Sequence, residues 1–294
     1  MVVRSGSDQY EIQCHGSQAV IDAITADLES QGVSQRPADA GAEGESVGAK
    51  FRSEIELLLN QAKTERTALL LLNQWKLFPT AAEQLGALDP AQRQKAIDTM
   101  LSHSSFGLNF HRTRSVVFCG RPNAGKSSLI NRVLGFQRAI VNPMPGTTRD
   151  VVSEGSAVDG WPVEFSDTAG LRQTGGQIEK MGIEKAEQMI ESADVVIGVV
   201  DGVELDDSID LAPDVVVINK SDLVDAANLK PVIESVSSRF PEAVCLTTSA
   251  TTGDGIEELL ATIAKVLVPS LPPTDQAYPV TQAQVDWLKQ KLHQ

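Results

Sequence analysis

The sequence predicts an α/β fold with a mostly parallel, doubly wound sheet, and three observations predict it. From Ser115 to about Leu267, apolar β-rich runs alternate with segments of helical periodicity, the pattern of repeated strand–helix crossovers. The runs at 194–200 and 214–218 are almost continuously apolar, as strands covered on both faces must be. Between the first run and the first helical segment lies a glycine-bounded turn, Gly120 to Gly125.

Taken in order, residues 1–31 read as a strand at Tyr10–Cys14 followed by a helix over Ser17–Ser30. The Gly/Ala/Glu/Ser-rich stretch from 32 to 48 reads as a flexible linker. From Phe51 to Trp75, apolar residues at Ile55, Leu58, Leu59, Ala62, Leu69, Leu70 and Leu72 form a helical stripe. Asp89-Pro90 is an N-cap followed by a first-turn proline, and opens a second helix running to about Ser104 through Ile97 and Leu101. Strands are then expected near 115–119, 150–158, 162–167, 194–200, 214–219 and 243–248, with helices near 126–134, 180–192, 226–238 and 254–267. Only Asp201 to Pro213 separates two strands expected to be parallel, so a one- or two-turn helix or an irregular loop replaces a full crossover helix there. After the proline-rich Pro269-Ser270-Leu271-Pro272-Pro273, a short helix covers Thr281–Leu292. The resulting organisation is a partial N-terminal α+β segment (1–32), a linker and reduced helical region (33–112), a nucleotide-binding domain (113–268) and a C-terminal linker with helix (269–294).

Composition bounds the function. With 41% hydrophobic residues in 294 the chain can bury a sizeable core, and its net charge of −14 argues against a broadly basic nucleic-acid surface. Lys63, Arg66, Arg112, Arg114, Arg132 and Arg138 therefore read as solvated faces and ordinary ion pairs. Three cysteines, Cys14, Cys119 and Cys245, have no metal-ligand spacing, and the last two sit in strand-like runs as small buried hydrophobes. No membrane-length apolar run and no hydrophobic leader is present, which predicts a cytoplasmic protein without a membrane span.

The chemistry begins at Gly120-Arg121-Pro122-Asn123-Ala124-Gly125-Lys126-Ser127-Ser128, spaced as a phosphate-binding loop between a strand and a helix. Its glycines let consecutive backbone N–H groups, through Ala124, Gly125 and Ser128, point at phosphate oxygens, and the helix adds its positive N-terminus. Lys126 reaches the β- and γ-phosphates, and Ser127 ligates Mg²⁺. This loop does not tell ATP from GTP. Asn219-Lys220-Ser221-Asp222 does so, since it follows an apolar strand and Asp222 can accept hydrogen bonds from both guanine's ring N–H and its exocyclic amine. Adenine offers no such donor pair, which disfavours an ATP-dependent enzyme. Ser249-Ala250, after the last strand, is expected to supply a backbone N–H to the guanine O6.

On the hydrolytic side, Asp167 in Asp167-Thr168-Ala169-Gly170 is expected to hold Mg²⁺ through water, with the Gly170 N–H approaching the γ-phosphate. Thr147 and Thr148 lie in Pro145-Gly146-Thr147-Thr148-Arg149-Asp150, where Thr148 is expected to bind Mg²⁺ and γ-phosphate. Both segments then act as switch loops.

With these motifs the chain resembles the translation-factor-like GTPases, and within them the tRNA-modification GTPases of the TrmE/MnmE type. Gly120 to Asn131, Pro145 to Asp150 and Asp167 to Arg172 carry the resemblance. Upstream, Val2-Val3 to Gly16, with Glu11-Ile12-Gln13-Cys14-His15-Gly16, resembles the end of that family's N-terminal domain and Ala62 to Arg66 its first long helix, pieces that the Era and EngA relatives lack. Leu171 stands where Ras-like enzymes use a water-orienting glutamine. The resemblance implies instead a K⁺ ion held by Asn123 and by carbonyls around Asn142 to Gly146, which stabilises the transition state as an arginine finger does. It implies that Glu179 helps position the attacking water, so that Asn123, Glu179, Lys126 and Gly170 are the expected catalytic groups. It also implies K⁺-stimulated hydrolysis of GTP to GDP, pairing of G domains into a homodimer in the GTP state, and a link to wobble-uridine modification of tRNA, through tRNA itself or a tRNA-modifying partner. Only about thirty residues match the family's folate-binding domain, and the chain ends without the family's cysteine followed by Gly-Lys, so folate binding and direct uridine modification are not expected. The alternative is a divergent regulatory or assembly GTPase with no role on tRNA.

Overall fold

The computed structural model describes residues 2–4, 10–12, 46–141, 156–168, 186–204 and 212–292. The chain divides into two compact units, 1–46 and 47–294. In the first, β1 (Val2–Arg4) and β2 (Tyr10–Ile12) pair antiparallel, Val2 opposite Ile12 and Arg4 opposite Tyr10. The strand expected at 10–14 is thus present in its first three residues, and the helix expected over 17–30 lies outside the described residues.

The second unit opens with helices. The apolar stripe over 51–75 spans two helices, α1 (Val47–Leu59) and α2 (Glu65–Gln84), where a single pattern was expected. The break is made by Thr64, whose backbone is extended and whose Oγ1 accepts the Thr67 N–H at 3.3 Å as an N-cap. Helix α1 also begins two residues inside the expected linker. Asp89 caps α3 (Pro90–Ser102) as its sequence required, accepting the Gln92 N–H at 2.8 Å. A short α4 (Ser104–Asn109), which periodicity did not reveal, follows and turns the chain into the sheet.

Among the described residues, the sheet has six strands in the order β4-β5-β3-β6-β7-β8, all parallel except the β4–β5 pair. They are β3 (Arg114–Cys119), β4 (Ser156–Val158), β5 (Trp161–Asp167), β6 (Val195–Asp201), β7 (Val215–Asn219) and β8 (Val244–Thr247). Side chains alternate across it. Val116, Phe118, Ile197, Val199, Val215 and Val217 pack under α5 (Lys126–Val141) and α8 (Ile256–Leu267). From the opposite face, Val200, Val216 and Ile218 pack against α7 (Ala226–Arg239), through Val232 and Val236. Residues 186–191, helical as expected, are labelled α6, while 180–185 and most of the short 201–213 connection lie outside the described residues.

The last helix, α9 (Gln282–Lys291), returns to the helical region, where Leu288 and Ala277 join Phe51, Phe78, Leu85, Ile97 and Met100 in one core cluster. The segment before it is no loose linker. Ala277 to Val280 are all buried, and Gln74 grips this strap from both sides, donating to Gln276 O at 3.0 Å and accepting the Tyr278 N–H at 3.0 Å. Burial pushes the Tyr278 hydroxyl up to about 12, partly offset by its hydrogen bond with Gln74.

Polar contacts seat the helices on the sheet. Thr64 Oγ1 donates to Gly160 O at 2.7 Å, and the Arg66 guanidinium meets the Asp159 carboxylate while lying 4.4 Å over the Trp161 ring. Asp194 accepts the Ser115 N–H at 2.9 Å and pairs with Arg112 and Arg114. Burial opposes its charge, but these partners outweigh burial and hold its carboxyl below the ordinary value. Lys63 donates to Thr113 Oγ1 and Arg132 to Thr252 O, so the basic residues described here are held in local structural contacts.

His111, at the junction of α4 and β3, has a buried Nε2 without a hydrogen-bond partner. Desolvation lowers its pKa below 6.5, against a smaller raising effect of the Val280 backbone. The unfolded chain therefore takes up this proton first as pH falls. The stability His111 contributes is complete above its unfolded pKa and is lost as pH drops through that value toward the lower folded one. Thermal unfolding at pH 7.5 and 5.5 should show a melting temperature that falls more in the wild type than in His111→Gln.

Candidate nucleotide-binding site

Three parallel strands, β5 on one side of β3 and β6 and β7 on the other, end in Asp167, Asp201 and Asn219, so polar groups converge at the carboxyl edge of the sheet. The loop from Gly120 to Gly125 leaves β3 at this same edge and enters α5 at Lys126. Two of its glycines are obligatory. A Cβ at Gly120, where φ is +139°, would lie 2.3 Å from Val199 O, and one at Gly125, where φ is +92°, would lie 2.3 Å from Asn219 Nδ2. Asn123 sits at the loop's crest, exposed and left-handed at φ 67°.

Lys126 closes the loop. Only 4% exposed, its ammonium donates to the carbonyls of Gly120 at 3.0 Å and Arg121 at 2.7 Å, which fixes a positive charge within the curl of backbone. One residue on, Ser127 Oγ meets the Asp167 carboxylate directly. A hydroxyl and a carboxylate side by side at the mouth of a phosphate loop form an oxygen donor set suited to Mg²⁺. Thr168 anchors the end of β5 by donating to Phe118 O at 3.2 Å.

The edge beside the phosphate loop is organised by Asn219, 1% exposed. Its Nδ2 donates to Ala124 O at 3.0 Å, while its Oδ1 accepts from Thr248 Oγ1 at 3.3 Å and the Ala250 N–H at 3.2 Å. One side chain thus ties the phosphate loop to the loop after β8. Ser249 is buried and its N–H donates to Asp254 O at 3.0 Å, so both backbone donors expected to meet a base oxygen are engaged within the protein. Asp222 lies exposed in a short 3₁₀ turn, Ser221–Leu223, pinned by the Ser221 N–H to Thr248 O at 3.1 Å.

The structure brings together Asn123, Ala124, Gly125, Lys126, Ser127, Ser128, Asp167, Asn219, Lys220, Asp222, Ser249 and Ala250 at this edge. Thr147, Thr148, Gly170 and Glu179, together with Leu171 and 142–146, lie outside the described residues. Sequence reasoning missed Asp201. It accepts Lys220 Nζ at 2.6 Å and the backbone N–H groups of Val203 at 2.9 Å and Glu204 at 3.4 Å. Burial disfavours its charge, but Lys220 and these donors outweigh that and hold its carboxyl below the ordinary value. The signal was its place as the lone acidic residue closing the apolar run of β6.

A family model described as a 50S ribosome-binding GTPase matches residues 115–233. Curated relatives are described as tRNA modification GTPase MnmE. That of Roseiflexus castenholzii is 36% identical over 62% of this chain and 42% of its own length. That of Maricaulis maris is 33% identical over 90% of this chain and 66% of its own, and that of Zymomonas mobilis is 30% identical over 92% and 68%. The chain thus spans about two fifths to two thirds of the length of these relatives. Among the described residues, no helix is long and apolar enough to cross a membrane.

Proposed function

Because this chain belongs to the MnmE family of tRNA modification GTPases, we propose that it binds GTP at the carboxyl edge of its sheet and hydrolyses it to GDP and phosphate. The observation that carries the reading is the Asn219 hub, which ties the phosphate loop to the loop after β8 and stands three residues before Asp222, the carboxylate this reading assigns to guanine. A bare phosphate loop would support nucleotide binding alone. The direct link from Asn219 to Ala124 O gives base and phosphate recognition a fixed spacing.

In this reading the loop N–H groups and the Lys126 ammonium neutralise the β- and γ-phosphates, and Asp222 accepts both guanine donors. Ser127 and Asp167, with Thr148, would hold a Mg²⁺ that draws charge from the phosphate oxygens. Gly170 would offer its N–H to the γ-phosphate, and Glu179 would orient the attacking water through another water. Asn123, exposed at the crest of the loop with its amide clear of the core, would take part in holding K⁺ with carbonyls of 142–146. Hydrolysis, with G domains pairing in the GTP state, then serves wobble-uridine modification of tRNA.

GTP turnover measured with Mg²⁺ in KCl and in NaCl tests this. Faster turnover in KCl is expected, abolished by EDTA. Equal rates in the two salts remove the K⁺ role, and no turnover in either overturns the assignment. A deletion strain should lose wobble-uridine modification, and retained modification would remove the tRNA link.

A further inference from the structure

Behind Lys220 lies a cavity of about 320 Å³, walled by the phosphate loop from Arg121 to Ala124 and by the end of β6 with Asp201 and Val203. Lys220 stands between this cavity and the edge where Asp222 turns outward, and its backbone is left-handed at φ 62°, a conformation unfavourable for a residue with a side chain. Its ammonium is nevertheless fixed, because Asp201 accepts it at 2.6 Å. Asp201 is itself fixed. The Val203 and Glu204 N–H groups hold its other oxygen, and the Gly202 N–H donates to Asn219 O at 2.8 Å, seating the Asp201–Gly202 turn on the Asn219–Lys220 backbone. The Asp201 side chain is only 14% exposed, so the pair is shielded from solvent on the carboxylate side.

The geometry points to Asp201 as a positioning residue for purine binding, an inference that rests on the GTP site proposed above. We propose that Asp201, by anchoring the Lys220 ammonium, sets the lysine's four methylenes as a flat apolar wall for the face of the purine ring. Asp222 reads the edge of the base. Lys220 and Asp201 supply the face, which carries no information about ring substituents but contributes binding energy to any purine held there. Without Asp201, the lysine stem must be ordered by the nucleotide at each binding event, and that ordering entropy weakens binding. An unanchored ammonium also becomes available to neighbouring carbonyls of the phosphate loop.

This separates Asp201 from the hydrolytic groups. Asp201→Asn, nearly isosteric, should weaken GDP binding and raise KM for GTP about tenfold, the loss of one charge-assisted hydrogen bond, with kcat unchanged. Lys220→Ala should weaken GDP binding as well. Because Asp201 acts through Lys220, the double variant should bind GDP no more weakly than Lys220→Ala alone. A unchanged GDP affinity in Asp201→Asn, or losses that add in the double variant, overturns the inference while leaving the GTP site intact. Absence of GDP binding by the wild type would instead overturn the site itself. Melting temperatures of the nucleotide-free variants accompany the titrations, and Asp201→Glu should restore part of the affinity, which a mere packing role would not produce.

Discussion

Asp222→Asn should exchange the preferred substrate from GTP to xanthosine triphosphate. Asp222 faces outward from a 3₁₀ turn whose position is pinned to the strand edge, so the variant keeps the turn and changes only the polarity of one side-chain atom. In the proposed site the carboxylate accepts from guanine's ring N–H and its 2-amino group. An asparagine amide presents one acceptor and one donor, which leaves the 2-amino group facing another donor. Xanthine carries an oxygen there and restores the pairing. A site that hydrogen-bonds a polar group rejects the mismatched analogue strongly, so kcat/KM for GTP should drop on the order of 10³-fold and recover with xanthosine triphosphate. Steady-state kinetics with both nucleotides decides it, and an unaltered GTP preference would remove Asp222 as the base reader.

Lys126→Met should lower turnover at saturating GTP by about 10²–10³-fold, the usual result of removing one preorganised donor from developing charge. The ammonium is almost fully buried and already aimed into the loop by two carbonyls, so little reorganisation accompanies its use. Methionine preserves the stem and removes the charge. Single-turnover hydrolysis isolates the chemical step from product release. A rate within about tenfold of wild type would assign the phosphate charge to other groups.

Much of this site was legible in the sequence because local chemistry dictates it. The phosphate loop needs glycines at fixed spacing, and continuous apolar runs such as Val215 to Ile218 can only be strands buried on both faces. Asn219 and Asp222 were legible for the same reason, as polar residues placed directly after such a run. The hub role of Asn219 was not, since it depends on two loops from distant parts of the chain meeting at one amide. Asp201 was passed over because a single acid at a strand end reads as the start of a turn. Its significance comes only from Lys220, the residue after the adjacent strand β7. The break at Thr64 failed for a related reason: apolar spacing continues across it, and the residue that decides the break is tied to Gly160, 96 positions away. The strap at 277–280 reads as linker because its buried backbone is satisfied by Gln74 and Gln284, side chains from other elements.

That strap bears on the order in which the molecule is built. Gln74 joins residues 202 and 204 positions further along, and Leu288 completes the cluster around Phe51 and Phe78. A ribosome has therefore made the whole sheet before the earliest helices can receive their last layer. Until then, the faces of α1, α2 and α3 that Ala277 and Leu288 cover stand open to water. Such late closure is slow, because a long loop must close before its contacts can repay the cost. The nascent helical region thus needs protection during synthesis, and the segment from Ala277 to Leu288 gives that protection permanently.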